Sequence, residues 1–231
     1  MSNCLIVESK NDKYFIQSIV YCLNCDIQDE NIIYIDEDDY KTLGGLDRVK
    51  LTQALNSVRN DAMKKDINKV GIIIDIDQSS KEERLDLING SISKVFAGFG
   101  SLANTGEFLQ VAIDDEVSLQ LSCYFTNING QGELETVLRS IKNKDSTYAD
   151  CLESWKSCLE SNGKPITQKD FDKFWVSTYL RYDTCSREEQ KQAGRKCSMG
   201  GFDYVMKNKT DIWDLTNPVL DELKDFLKLF C

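Results

Sequence analysis

Residues 4–8, Cys4-Leu5-Ile6-Val7-Glu8, and residues 70–77, Val70-Gly71-Ile72-Ile73-Ile74-Asp75-Ile76-Asp77, decide the fold. Each run is short, apolar and rich in β-branched side chains. Such runs predict strands buried on both faces, the pattern of a parallel sheet rather than a half-wet antiparallel one. Both end in carboxylates: Glu8 on the first, Asp75 and Asp77 on the second. In open α/β sheets, ligands collect outside the carboxyl ends of the strands. Acids delivered there by two separate strands can cage a hard divalent cation such as Mg²⁺.

Working outward, residues 12–24 place Phe15, Ile16, Ile19, Val20 and Leu23 at helical spacing. Residues 32–35 predict a second strand, ending in the acidic run Asp36-Glu37-Asp38-Asp39, read as a solvated loop. Gly44-Gly45 introduces a helix over 46–65, with Leu46, Val49, Leu51, Leu55, Val58 and Ala62 on one face. The third strand covers 69–77. Ser79-Ser80 can cap a helix over 81–95, whose early Glu82 and Glu83 suit its positive end. Residues 96–106 are Gly-containing but lack P-loop spacing, so they predict a connector. Residues 108–113 and 117–125 read as strands of an antiparallel hairpin turning at Asp114-Asp115-Glu116, followed by a loop over 127–132 and a helix over 133–141. Strands alternating with helices predict an α/β fold with a mostly parallel, doubly wound sheet flanked by helices.

From about residue 145 the pattern becomes helical. Periodic apolar positions and Trp155, Trp175 and Trp213 predict helices near 146–160, 167–181 and 217–230, with Pro165 and Pro218 at helix starts. Residues 183–201 predict a long loop or short helices. The expected organisation is an α/β core over 1–144 and a helical C-terminal subdomain over 145–231 packed on it.

Composition limits the chemistry. With 231 residues and 41% hydrophobic side chains, the chain can bury a substantial core. No apolar run is long enough to span a membrane. The start, MSNCLIVESKNDK, lacks the basic region of a secretory signal and passes directly into a strand, which points to a cytoplasmic protein. Nine cysteines are an odd number in a chain this long, so reduced thiols are expected. Cys22 and Cys25 form a CxxC late in a helix, which suits neither a zinc site nor a redox motif at a helix start. A formal charge of −10 disfavours broad non-specific binding to nucleic acid, although a local basic groove or a metal bridge remains compatible with it. Histidine is absent, so acid–base work falls to carboxylates, Lys, Tyr, Cys or metal-bound water.

On an extended backbone, Asp75 and Asp77 would project to the same side, with Cα atoms roughly 6–7 Å apart. Glu8 from a neighbouring strand would complete the trio. Clustered carboxylates repel, which favours a bound cation or a raised pKa.

The segments LIVESKND (5–12) and GIIIDID (71–77) resemble the signature of the TOPRIM (topoisomerase–primase) family, a Glu ending the first strand and an Asp-x-Asp ending a later one. The family usually carries Gly-x-x-Asp after the Glu; here Ser9 stands for the Gly, and Asp12 matches the Asp. Gly132-Glu133-Leu134-Glu135, KFWVSTYLRY (173–182) and VLDELKDFLKLF (219–230) resemble a group of uncharacterised bacterial TOPRIM-like proteins. The resemblance implies a TOPRIM-like fold and phosphoryl-transfer chemistry dependent on Mg²⁺ (or Mn²⁺), nuclease-like in character. Glu8 would be the catalytic acid–base or metal-binding residue, Asp75 and Asp77 the metal ligands, and Asp12 and Glu135 accessory groups. Expected partners are nucleic acid or a nucleotide, with a second copy of the chain as a further candidate and no membrane.

Blander readings compete. Asp12 can simply cap a helix, and Glu133 and Glu135 can simply complement a helix N-terminus. Tyr148, Tyr179 and Tyr182 read as packing residues, and Arg181, Arg187, Lys191, Arg195 and Lys196 as a solvated basic loop or a phosphate contact. The alternatives to a nuclease are a non-catalytic metal- or nucleotide-binding regulatory module and a hydrolase of a small phosphorylated substrate.

Overall fold

A computed structural model of the chain describes residues 2–36, 47–96, 100–114 and 117–231. The elements are β1 (Ser2–Ser9), α1 (Lys10–Cys22), β2 (Ile32–Asp36), α2 (Arg48–Lys65), β3 (Ile67–Asp75), α3 (Lys81–Val95), β4 (Leu109–Ala112) and β5 (Ser118–Thr126). Helices follow: α4 (Leu134–Ser140), α5 (Thr147–Asp150), α6 (Leu152–Ser161), α7 (Gln168–Thr178), α8 (Ala193–Lys196), α9 (Phe202–Asn208) and α10 (Asp221–Lys228). The expected Gly44-Gly45 helix start, most of the acidic run after Asp36, part of the 96–106 connector and the tip of the hairpin turn lie outside the described residues.

The five strands form one sheet in the order β2-β1-β3-β5-β4. All pairings are parallel except β4 with β5, the antiparallel hairpin that the sequence predicts. Continuous apolar runs therefore form two of the three central strands, β1 and β3, as both-face burial requires, while β5 alternates apolar and polar residues. From β1 the chain runs through α1 to β2 on one side, then returns through α2 to β3 on the other. Strand order reverses between β1 and β3, which makes their carboxyl ends the topological switch point of the sheet.

Strand alternation sorts the core. Cys4 and Ile6 of β1, Val70, Ile72 and Ile74 of β3, and Leu119, Leu121, Cys123 and Phe125 of β5 pack with Leu51, Leu55 and Val58 of α2 and Ile88 and Ile92 of α3. The neighbouring alternate residues meet α10. A Cβ on Gly71 would lie 2.7 Å from Leu5 Cδ2 and 2.8 Å from Phe230 Cζ, so only glycine fits beneath that ring. Tyr124 and Phe226 rings lie 5.5 Å apart, and Phe108 meets Phe230 edge-on at 5.8 Å. Asn3 Nδ2 donates to Phe230 O (2.7 Å) and Lys69 Nζ to Leu229 O (2.7 Å), satisfying carbonyls at the end of α10.

Two compact units result: Met1–Thr126 with Asp221–Cys231, and Asn127–Leu220. The division falls at 126/127, not at 144/145 as the change in sequence character suggests. The last helix belongs to the sheet-containing unit, because its aromatic face covers β3 and β5. In the second unit, Trp175 and Tyr179 stack at 5.1 Å and Tyr179 meets Trp213 at the same distance. The Tyr179 hydroxyl donates to Ile212 O (2.8 Å) and accepts from Lys144 N (3.0 Å). Tyr179 is thus a packing residue, as read, whereas Tyr148 and Tyr182 are exposed. The expected helix over 167–181 is α7 continued by a π-turn at Tyr179–Asp183, and α9 lies beyond the expected loop.

The expectation of reduced thiols is corrected. Cys25 pairs with Cys231 and Cys185 with Cys197, with Cα separations of 4.8 and 5.7 Å, inside the range disulfides need. Cys25 therefore serves neither zinc nor its CxxC neighbour. No described helix is long and apolar enough to cross a membrane.

Candidate functional site

The switch point gathers the predicted acids. β1 and β3 run in register, Val7 beside Ile73, so Glu8 leaves β1 next to Ile74 and on the α2/α3 face, while the Asp75 side chain leaves β3 on the opposite face. The Asp75 backbone N–H donates to Glu8 Oε2 (3.1 Å), fixing the glutamate across the two strands. Removal from water pushes the Glu8 carboxyl up to about 7 from an ordinary 4.5. The Asp12 charge raises it further, the Asp75 amide lowers it, Asp77 raises it and Arg84 lowers it. Glu8, Asp12, Asp77 and Arg84 thus form one electrostatic cluster, which Asp75 joins through its backbone amide.

The Asp-x-Asp geometry differs from expectation. β3 ends at Asp75, and Asp77 stands in the left-handed region with φ 54°, so the two side chains do not project together from an extended backbone. Aspartate tolerates that conformation better than most residues. The turn aims Asp77 at α3, where its Oδ2 accepts from Arg84 Nη2 (2.6 Å), while Arg84 Nε donates to Ile76 O (3.3 Å). Arg84 is the residue that sequence reading missed. A cation early in a helix opposes the helix dipole, and that mismatch was its one legible signal; here the neighbouring acids compensate it.

Asp12 does cap a helix. Ser9 is the N-cap of α1: its Oγ accepts from Asp12 N (3.2 Å), and Asp12 Oδ2 accepts from Ser9 N (2.9 Å) and Ser9 Oγ (2.6 Å). This capping box requires a hydroxyl, so Ser9 does what a glycine at that position cannot. It leaves Asp12 buried beside Glu8, contributing charge while already engaged. Ser80 and Glu83 form the same box at α3, matching the expected cap.

Glu135 lies in the first turn of α4, in the second unit. Its neighbour Glu133 is the N-cap of that helix and pairs with Lys169 Nζ (2.9 Å) and Lys173 Nζ (3.7 Å). The predicted basic residues Arg187, Lys191, Arg195 and Lys196 fall within the segment closed by the Cys185–Cys197 disulfide.

Among the described residues, the Cys, Asp and Glu side chains whose ligand-type atoms lie within 4.8 Å of one another as a set of three are Cys185, Glu189 and Cys197. Glu8, Asp75 and Asp77 do not close as tightly. Their donors are nevertheless all oxygens, the type Mg²⁺ and Mn²⁺ prefer, and Mg²⁺ keeps several waters and needs one or two carboxylates. That donor type suits a hydrated ion, but the Asp75 side chain leaves β3 on the face opposite Glu8, and Asp77 is engaged by Arg84.

A parallel α/β sheet with acids at its switch point defines the class. Within that class the chain belongs to the family described as Protein of unknown function (DUF3226), which matches residues 2–231. No curated protein and no solved structure matches it.

Proposed function

We propose that this chain is a TOPRIM-like protein that uses Mg²⁺ or Mn²⁺ at the β1/β3 switch point to act on a phosphodiester, as a nuclease-like enzyme of the bacterial cytoplasm. The observation that supports it most is Glu8 bridged to the Asp75 amide, with Asp12 and Asp77 within electrostatic reach. A bound divalent ion would neutralise phosphate oxygens and activate water. Glu8 would hold or move a proton at its carboxylate, Asp75 would bind the ion, and Arg84 would balance the charge of Asp77 or face a phosphate oxygen.

Cleavage of single- and double-stranded DNA and RNA, with Mg²⁺, Mn²⁺ or EDTA, tests the reading. Metal-dependent cleavage that falls at least 100-fold in Glu8→Gln and Asp75→Asn is expected. Equal cleavage by the variants would sink the site assignment. The engagement of Asp77 by Arg84 and of Asp12 by Ser9 favours a second reading, a non-catalytic metal- or nucleotide-binding module. Metal binding by calorimetry without turnover of nucleic acid or nucleotides would select it. Nucleotide hydrolysis without polymer cleavage would instead select a small phosphorylated substrate.

A further inference from the structure

The second unit carries a sulfur site. Cys185, just beyond the π-turn, pairs with Cys197, just beyond α8, across 12 positions. The two cysteines are unequally buried. Cys197 is 1% exposed, whereas Cys185 is half-buried. Lys209, at the end of α9 and itself buried, holds its ammonium against the inner sulfur: Nζ lies 3.6 Å from Cys197 Sγ. Its other contacts are to oxygen, Thr184 O at 2.7 Å and Glu189 Oε2 at 3.1 Å. An ammonium has three N–H donors. Two are spent on strong acceptors, and the third is aimed at a disulfide sulfur, a weak one. That costly placement becomes favourable when the sulfur is an anion.

We propose that Cys185–Cys197 is a thiol–disulfide exchange site for an accessible dithiol, with Lys209 positioned to receive the Cys197 thiolate. The dithiol's thiolate attacks Cys185 Sγ, on the less buried cysteine of the pair. A bond forms between them, the Cys185–Cys197 bond breaks, and the electron pair leaves on Cys197 Sγ, where the Lys209 ammonium stabilises it. The dithiol's second thiolate then attacks the mixed disulfide, releasing Cys185 thiolate and a cyclic oxidised product. The dithiol loses two electrons and two protons, and the cysteine pair gains them. A leaving thiolate of lower basicity departs faster, so the ammonium accelerates the first step. A metal is the competing use of Cys185, Glu189 and Cys197, but the Lys209 cation sits among those donors and repels it.

The test uses the full chain and dithiothreitol, with timed alkylation and peptide mass spectrometry. Cys185–Cys197 should open on the order of tenfold faster than Cys25–Cys231 in the same molecule. Lys209→Gln should slow Cys185–Cys197 about tenfold, Lys209→Arg should restore most of the rate, and Cys25–Cys231 should be unchanged in both. The rescue separates a charge effect from general damage. Should Lys209→Gln fail to fold, the ratio of the two rates in the unaltered chain still decides. Equal rates for the two disulfides, no effect of Lys209→Gln, or stoichiometric Zn²⁺ retained by the reduced chain would each overturn the proposal.

Discussion

At the scale of single residues, the balance around Glu8 makes a pH prediction. In metal-free protein its folded pKa is about 7, above the ordinary 4.5. The folded state therefore holds the proton more tightly than the unfolded one. The resulting stabilisation is complete below pH 4.5 and is lost as pH rises through 7. Glu8→Gln escapes that loss. In EDTA at pH 8 the variant should be more stable than the parent by on the order of 3 kcal/mol, with the gap closing toward pH 4. Urea unfolding at the two pH values measures this, and equal stability at pH 8 contradicts it. Gly71 gives a second residue-level expectation. Gly71→Ala pushes a methyl into Leu5 and Phe230 and should cost about 1–3 kcal/mol, read in the same unfolding experiment. Arg84→Met should leave Asp77 and Glu8 without their nearby cation and raise the Glu8 pKa further. Titration of the Glu8 carboxyl by carbon-detected NMR shows the direction.

At the scale of elements, the start of α1 explains why serine follows the strand-end glutamate. Ser9→Ala removes the hydroxyl's half of the capping box, leaving the Ser9 N–H to Asp12 bond, and should cost about 1 kcal/mol, whereas Ser9→Gly should cost only about a few tenths. Urea midpoints of the two variants separate the cap from any loss of flexibility. Strands were the most legible elements: β1 and β3 carry continuous apolar runs, and β5 alternates Leu119, Leu121, Cys123 and Phe125 with more polar residues. Helix α3 was legible to the residue, since Ser80 and Glu83 announce its cap and its apolar stripe runs to Val95. Site residues were legible as types at strand ends: the charges of Asp12 and Asp77 reach Glu8, and Asp75 meets it through its backbone amide. Their geometry was not. The left-handed turn at Asp77 depends on Arg84, a partner on the next helix, and no local pattern encodes that pairing. Similarly, α9 and the short helices before it draw on burial of Met199, Phe202 and Val205, a tertiary cause.

Over the whole molecule, the two readings that failed concern connections between distant positions. Nine cysteines permit many pairings, and only the fold selects Cys25 with Cys231, 206 positions apart. Cys231→Ser should lower stability by about 2–4 kcal/mol under oxidising conditions and by nothing under reducing ones; unfolding with and without dithiothreitol checks both arms. The allegiance of α10 was hidden for the same reason. Its sequence continues the helical character of residues 127–220, yet Phe226 and Phe230 complete the sheet-containing unit.

That placement has a consequence for how the chain is made. A ribosome releases β1, β3 and β5 long before the segment that covers Gly71, and the Asn3–Phe230 bond joins positions 227 apart. Until α10 emerges, Leu5 and Tyr124 lie on an uncovered apolar surface. The whole of residues 127–220 is translated while that surface waits. A nascent chain with that apolar face open is the kind of client that holding chaperones take up, whereas the partners of Glu8, Asp12 and Asp77 are already made by residue 84.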